Sequence, residues 1–181
     1  MRSGTPSPSD GEPRRAATAR RGEPERGREA RGGEDPADRT LPLFFFGTLM
    51  DPDVLGLVIG RPVAAAALEP ARLSGFRRLR VEGASYPMLV ADPEGVVEGR
   101  LWRGASAADR RRLDTYEGEG YERAPVEVET ASGERLLAEA YLARPGHLRP
   151  SAEPWDLASW QARFKRHYLA HGEELVGAEV P

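Results

Sequence analysis

The chain has 181 residues, 39% of them hydrophobic and 30% charged, with a net charge of -3 and no cysteine. That length suits one domain plus a tail, and the missing cysteines exclude a disulfide framework and thiol chemistry. No run approaches the roughly 18 apolar residues of a membrane span, and the near-even charge balance lacks the basic stripe of a nucleic-acid binder. The expectation is a cytoplasmic protein that engages neither nucleic acid nor membrane.

Residues 1–40 contain no Val, Ile, Leu, Phe, Tyr or Trp and carry nine Arg against eight Asp plus Glu. Nothing there offsets the entropy of ordering, so 1–40 reads as a disordered low-complexity tail before a domain at 41–176. Its acids argue against an organelle transit peptide, and no apolar core of roughly 7–15 residues marks a secretory signal.

From Leu41, the run Leu-Pro-Leu-Phe-Phe-Phe predicts a strand buried on both faces, ending in Gly47-Thr48. Asp51 and Pro52 then offer an N-cap and a first-turn proline for a helix through Val54, Leu55 and Val58, closed by Gly60. Strands follow at 71–81, interrupted by Gly75, at 87–91, and at 96–102 with Gly99 as a bulge. Arg77, Arg78 and Arg80 read as a solvated strand face.

Ser106 with Asp109 forms a capping-box start for a helix that Gly118 ends, and a hairpin at 124–130 and 135–143 turns across Ala131-Ser132-Gly133. Leu157, Trp160, Phe164, Tyr168 and His171 make a helical stripe that should lie as a lid on the sheet. Strands outnumber helices without regular alternation. The fold class is therefore α+β with a curled or closed mixed sheet, not a doubly wound one.

Glu117 is the residue with the strongest chemical signal. It sits at the helix C-terminus, where backbone carbonyls disfavour an ionised carboxylate, and partial burial acts in the same direction. An acid whose pKa rises toward neutrality suits proton transfer, although an exposed glutamate would share the same position. Asp114 lies three residues earlier, where it either shares a face with Glu117 or pairs with Arg110 or Arg111. Arg123 either reaches Glu117 or a substrate carboxylate, or closes a salt bridge at the sheet rim. Gly47 lets the backbone approach a ligand, and His167 with His171 has a metal-pair spacing but no third ligand. No serine occupies a Gly-x-Ser-x-Gly elbow.

Three motifs, Phe45 to Met50 (Phe-Phe-Gly-Thr-Leu-Met), Ala84 to Leu89 (Ala-Ser-Tyr-Pro-Met-Leu), and Leu113 to Gly118 followed by Tyr121-Glu122-Arg123, resemble the γ-glutamylcyclotransferase-like, or AIG2-like, family. The resemblance spans about residues 41–145, and Glu153-Pro154-Trp155-Asp156 is similar to bacterial members. It implies a compact mixed β-barrel with flanking helices and a cavity for a γ-glutamyl group. It further implies that the substrate α-amine attacks its own γ-carbonyl, giving 5-oxoproline and a free amine, with Glu117 as general acid-base and no metal or cofactor. By motif match the substrate-binding positions are Phe46, Gly47, Thr48, Leu49, Tyr86, Pro87, Tyr121 and Arg123. The family's loop typically begins with tyrosine. Phe46 lacks that hydroxyl, a loss of about 0.5–1.5 kcal/mol if it met substrate, and Tyr86, Tyr116 and Tyr121 are the candidates to replace it. The rival reading is a noncatalytic small-ligand-binding module on the same fold.

Overall fold

A computed structural model describes residues 40–175. All but Thr40 of the tail expected at 1–40 lies outside the described residues. The first strand, β1 (Leu43–Phe45), is buried along its length, as its unbroken apolar run requires. Alternation sends Leu43 and Phe45 into one hydrophobic core, while Phe44 and Phe46 enter the other.

Strand β2 (Leu68–Val81) pairs antiparallel with β3 (Pro87–Trp102), and β4 (Tyr121–Thr130) pairs antiparallel with β5 (Arg135–Ala143). β1 joins the two pairs, antiparallel to β3 and parallel to β5. A β2–β4 pairing completes the circuit, so five strands form a closed mixed barrel. Its interior holds Phe44, Phe46, Leu73, Val97, Leu101 and Val126. A short strand, β6 (Pro150–Pro154), adds to the far end of β2.

The two strands expected at 87–91 and 96–102 are one strand. The ladder jumps from Ser74↔Val96 to Phe76↔Ala91 around Gly75, whose φ of 86° supplies the bulge conformation. Gly99 is no bulge. It pairs in register with Ala71, and a Cβ there would come within 2.4 Å of the Phe44 ring, so glycine serves a close approach. The first hairpin strand also begins earlier than expected, at Tyr121.

Helix α1 (Pro52–Ile59) starts on Asp51, whose carboxylate accepts from the amides of Asp53 and Val54, and ends at Gly60 with φ 73°. Helix α2 (Ala107–Glu117) opens on the Ser106–Asp109 capping box. The C-terminal rod comprises α3 (Leu157–Trp160), a π-helical turn at Gln161–Lys165, and α4 (Arg166–Leu175). It packs on α1 and the one-turn helix Thr48–Met50, beside the opening strand.

That π turn overturns part of the expected stripe. The wider turn rotates later side chains about the rod, leaving Phe164 and His171 exposed and turning Gln161 and Lys165 toward Asp51. Asp51 is fully buried, with Lys165 Nζ at 2.7 Å and Gln161 Nε2 at 2.5 Å. Desolvation works against its charge, but these donors and the two capping amides together hold its carboxyl below the ordinary value. Arg78 is a second correction. It is partly buried, its guanidinium donating to the carbonyls of Phe46, Trp155 and Glu98 at 2.8, 3.0 and 3.1 Å while lying over the Trp155 ring. Among the described residues, no helix is long and apolar enough to cross a membrane.

Candidate active site

Helix α2 delivers Glu117 as its final residue before Gly118, whose φ of 65° ends the helix. No basic side chain stands in that last turn. Glu117 is half-buried and, among the described residues, its carboxyl makes no hydrogen bond or ion pair. Burial pushes its carboxyl up to about 8. An acid desolvated without a compensating cation stays protonated near neutrality and exchanges its proton readily.

The chain contains five tyrosines, and all of them lie within reach of the Glu117 charge. Burial above all raises the pKa of Tyr86, Tyr116, Tyr121 and Tyr141, with the Glu117 charge adding to it after Tyr168 at Tyr116 and after the Asp114 carboxylate at Tyr141, and burial brings Tyr168 up to about 12. Each therefore keeps its proton at neutral pH. Four hydroxyls have protein partners. Tyr121 donates to the Pro87 carbonyl at 2.9 Å, Tyr141 to Asp114 at 2.8 Å, and Tyr168 to Tyr116, which shares a 3.1 Å bond with Thr48. Tyr86 meets Tyr121 edge-on, with ring centroids 6.4 Å apart, and its hydroxyl has no protein partner among the described residues.

The Gly47 loop reaches the same place. A Cβ on Gly47 would lie 3.2 Å from the Pro87 ring, so glycine permits this packing, and Thr48 ties the loop to Tyr116. The amides of Gly47, Thr48 and Leu49 donate to no protein acceptor among the described residues. These are donors available to a developing oxyanion. The structure thus brings Gly47, Thr48, Pro87, Tyr86 and Tyr121 to one neighbourhood with Glu117.

Two expected residues, Phe46 and Arg123, have side chains engaged elsewhere, while Leu49 offers the site its backbone amide alone. The Phe46 ring belongs to the barrel interior, and the Leu49 side chain packs in the core under the helices. Arg123 binds Asp114 at 2.7 Å and Glu139 at 3.1 Å, so it closes the rim salt bridge and leaves Glu117 unpaired. Asp114 in turn takes Arg123 and Tyr141, not Arg110 or Arg111. His167 and His171 stack with centroids 4.3 Å apart, and His171 Nδ1 lies 3.0 Å from the His167 carbonyl. Tyr141 and Tyr168 escape a sequence reading of the site because only long-range packing brings them to Glu117; their sole sequence signal is that this chain has so few tyrosines.

A groove of 310 Å³ runs along Tyr86 between the β2–β3 turn and His147 to Arg149. Leu148 on its wall packs over Gly120, in the turn linking Glu117 to Tyr121. It opens beside the acid without containing it.

A closed five-strand barrel with flanking helices is the γ-glutamyl cyclotransferase-like architecture. The model of the gamma-glutamyl cyclotransferase, AIG2-like family matches residues 43–162, and the chain belongs to that family. AIG2-like protein C of Arabidopsis thaliana is 31% identical over 136 residues, covering 74% of this chain and 77% of the relative. Protein AIG2 C of the same plant is 30% identical, with 74% and 76% covered. A solution structure of an Arabidopsis thaliana protein, 26% identical, superposes with a TM-score of 0.55 over 75% of this chain and 89% of the other. A gamma-glutamyl cyclotransferase structure shares the fold at 19% identity and a TM-score of 0.51, covering 78% and 89%.

Proposed function

We propose that this protein is a cytoplasmic cyclotransferase acting on a γ-glutamyl amine or peptide, with Glu117 as the general acid-base. The observation that carries this reading is a carboxyl pushed up to about 8 by burial, unpaired, beside unengaged loop amides. Family membership supplies the reaction type.

In the reaction, Glu117 takes a proton from the substrate α-ammonium, and the freed amine attacks the γ-carbonyl carbon. A new C–N bond closes the five-membered ring, and the carbonyl oxygen gains negative charge that the amides of Gly47, Thr48 and Leu49 receive. Collapse restores the carbonyl and breaks the original amide bond. Glu117 returns its proton to the departing nitrogen, and the ring nitrogen, still carrying two protons after the attack, gives up one of them to that same amine, leaving 5-oxoproline and the amine as its ammonium ion. Attack within one molecule needs no second reactant, an advantage of up to about 7–11 kcal/mol when well oriented. The protonated Tyr86 hydroxyl, unengaged and beside the groove, takes the donor role that Phe46 cannot.

Incubation with a panel of γ-glutamyl amines and dipeptides should release 5-oxoproline, and Glu117→Gln should lower turnover by about 100-fold or more. Absence of product across a broad panel would overturn the enzymatic reading and favour the binding-module alternative. Unchanged turnover in Glu117→Gln would remove the assigned role.

A further inference from the structure

On the cyclotransferase reading, on which this inference rests, the departing amine needs room beside the acid, and the 310 Å³ groove opens there. Tyr86 lines it and feels the Glu117 charge, while Leu148 on the other wall packs over Gly120, in the turn that follows the acid. A γ-glutamyl chain held between Glu117 and the Gly47 loop therefore sends its scissile nitrogen, and whatever that nitrogen carries, along this groove.

Backbone bonds fix the spacing of the two walls. The Glu82 amide donates to the Arg149 carbonyl at 2.8 Å, and Val81 pairs with Pro150 where β6 joins β2. The Trp155 indole N–H anchors the β2–β3 turn through the Ser85 carbonyl, at 2.8 Å.

The walls carry opposite charges. Glu82 lies on the β2–β3 turn and Arg149 on the segment facing it, both lining the groove and both exposed. Among the described residues neither forms an ion pair, with the other or with any third group, whereas nearby Arg80 and Arg144 are taken by Glu153 and Glu122. His147 Nδ1 lies 3.3 Å from the Pro145 carbonyl of its own loop. Arg149 and Glu82 are thus the two charges that a group entering the groove meets.

A guanidinium without an acid suits a carboxylate, which it holds by two parallel N–H bonds. In a γ-glutamyl dipeptide the second residue's carboxylate is attached to the carbon next to the scissile nitrogen, so it enters the groove with that nitrogen. Glu82 acts in the opposite sense. An acidic side chain on the departing residue would meet like charge there, and repulsion sets specificity as much as attraction does.

We propose that Arg149 and Glu82 determine which leaving group is accepted: Arg149 binds the α-carboxylate of a departing amino acid, and Glu82 disfavours amino acids with an acidic side chain. The preferred substrates are then γ-glutamyl dipeptides whose second residue is not acidic. Because both side chains are exposed, solvent limits each effect to a few-fold.

The test compares two matched pairs of substrates by 5-oxoproline release. In kcat/KM, γ-glutamyl-alanine should exceed γ-glutamyl-ethylamine, the same leaving group without its carboxylate, by about fivefold. γ-Glutamyl-glutamine should exceed γ-glutamyl-glutamate, its near-isostere, by about threefold. Arg149→Gln should collapse the first ratio toward one and preserve the second, and Glu82→Gln should do the reverse. A general loss of folding or turnover scales all four substrates alike and cannot produce that crossed pattern. Turnover with both ratios near one, or ratios that neither substitution moves, overturns the assignment and leaves cyclisation at Glu117 standing. Absence of 5-oxoproline from all four substrates and from the wider panel overturns the cyclotransferase reading and this proposal with it.

Discussion

Tyr168 of the C-terminal rod donates its hydroxyl to Tyr116, the residue immediately before Glu117. Tyr116 is bonded in turn to Thr48, so one chain of hydroxyls links the last helix, the acid-bearing helix and the Gly47 loop. The π turn and the Asp51–Lys165 ion pair fix where α4 begins, just before Tyr168. Loop and acid are therefore aligned by an element that meets them only in three dimensions.

Removing the Tyr168 hydroxyl should loosen that alignment without touching the acid itself. Tyr168→Phe keeps the ring against Trp160 and loses one hydrogen bond, worth about 0.5–1.5 kcal/mol. The expected result is a two- to tenfold fall in kcat, by conversion of that range. Tyr116→Phe removes both links and should fall further. Steady-state assays of 5-oxoproline release on the two variants check the order; equal and negligible effects would deny the chain any part in alignment.

The raised pKa of Glu117 sets a pH profile. Its ionised form is the base, so kcat/KM should climb with pH and level off above about 8, the value that burial imposes in the free enzyme. In the complex the substrate ammonium stabilises the carboxylate, so the limb in kcat should lie lower. Profiles of both constants between about pH 5 and 9.5 test this. Two superimposable limbs near 4.5, the ordinary value, would mean that the carboxyl is solvated and the acid unremarkable in strength.

Arg78 holds three carbonyls, those of Phe46, Glu98 and Trp155, and so ties the start of the Gly47 loop to β3 and to the segment before α3. Arg78→Lys keeps the charge but loses the planar fork that meets them together. A loss of about 2–3 kcal/mol in urea unfolding is expected, with turnover reduced because the Phe46 carbonyl is no longer fixed. A change within about 0.5 kcal/mol would show these bonds to be replaceable by water.

Arg78 also marks where local pattern stops being informative. Asp51, the Ser106–Asp109 box and Gly118 act within a few residues of themselves, so cap chemistry identified both helices and placed Glu117 at the end of one. The hydrophobic run at 41–46 likewise announced the buried strand. Barrel closure, the Arg78 clamp and the gathering of Tyr141 and Tyr168 around Glu117 depend on which strands meet, and a residue's neighbours in sequence do not encode that. The stripe ending in His171 failed for a related reason: a 3.6-residue period assumes an unbroken α-helix, and the turn at Gln161–Lys165 is wider.

The acid that serves the proposed chemistry should also weaken the fold. Glu117 has a folded pKa of about 8 against 4.5 for the free side chain, so between these values the unfolded chain has released a proton that the folded chain retains. Stability must fall as pH rises through that window, with the full penalty present above about 8. Glu117→Gln removes the titration. Because Glu117 is partly exposed, the gain should be about 1–3 kcal/mol near pH 8.5 and close to nothing near pH 4, where both forms are neutral. Urea unfolding of the two proteins at about pH 4, 6 and 8.5 reads the difference directly. A variant that gains stability as pH rises while losing turnover would carry the signature of a strained catalytic acid, whereas a pH-independent difference would place the carboxyl in water and leave its chemistry unsupported.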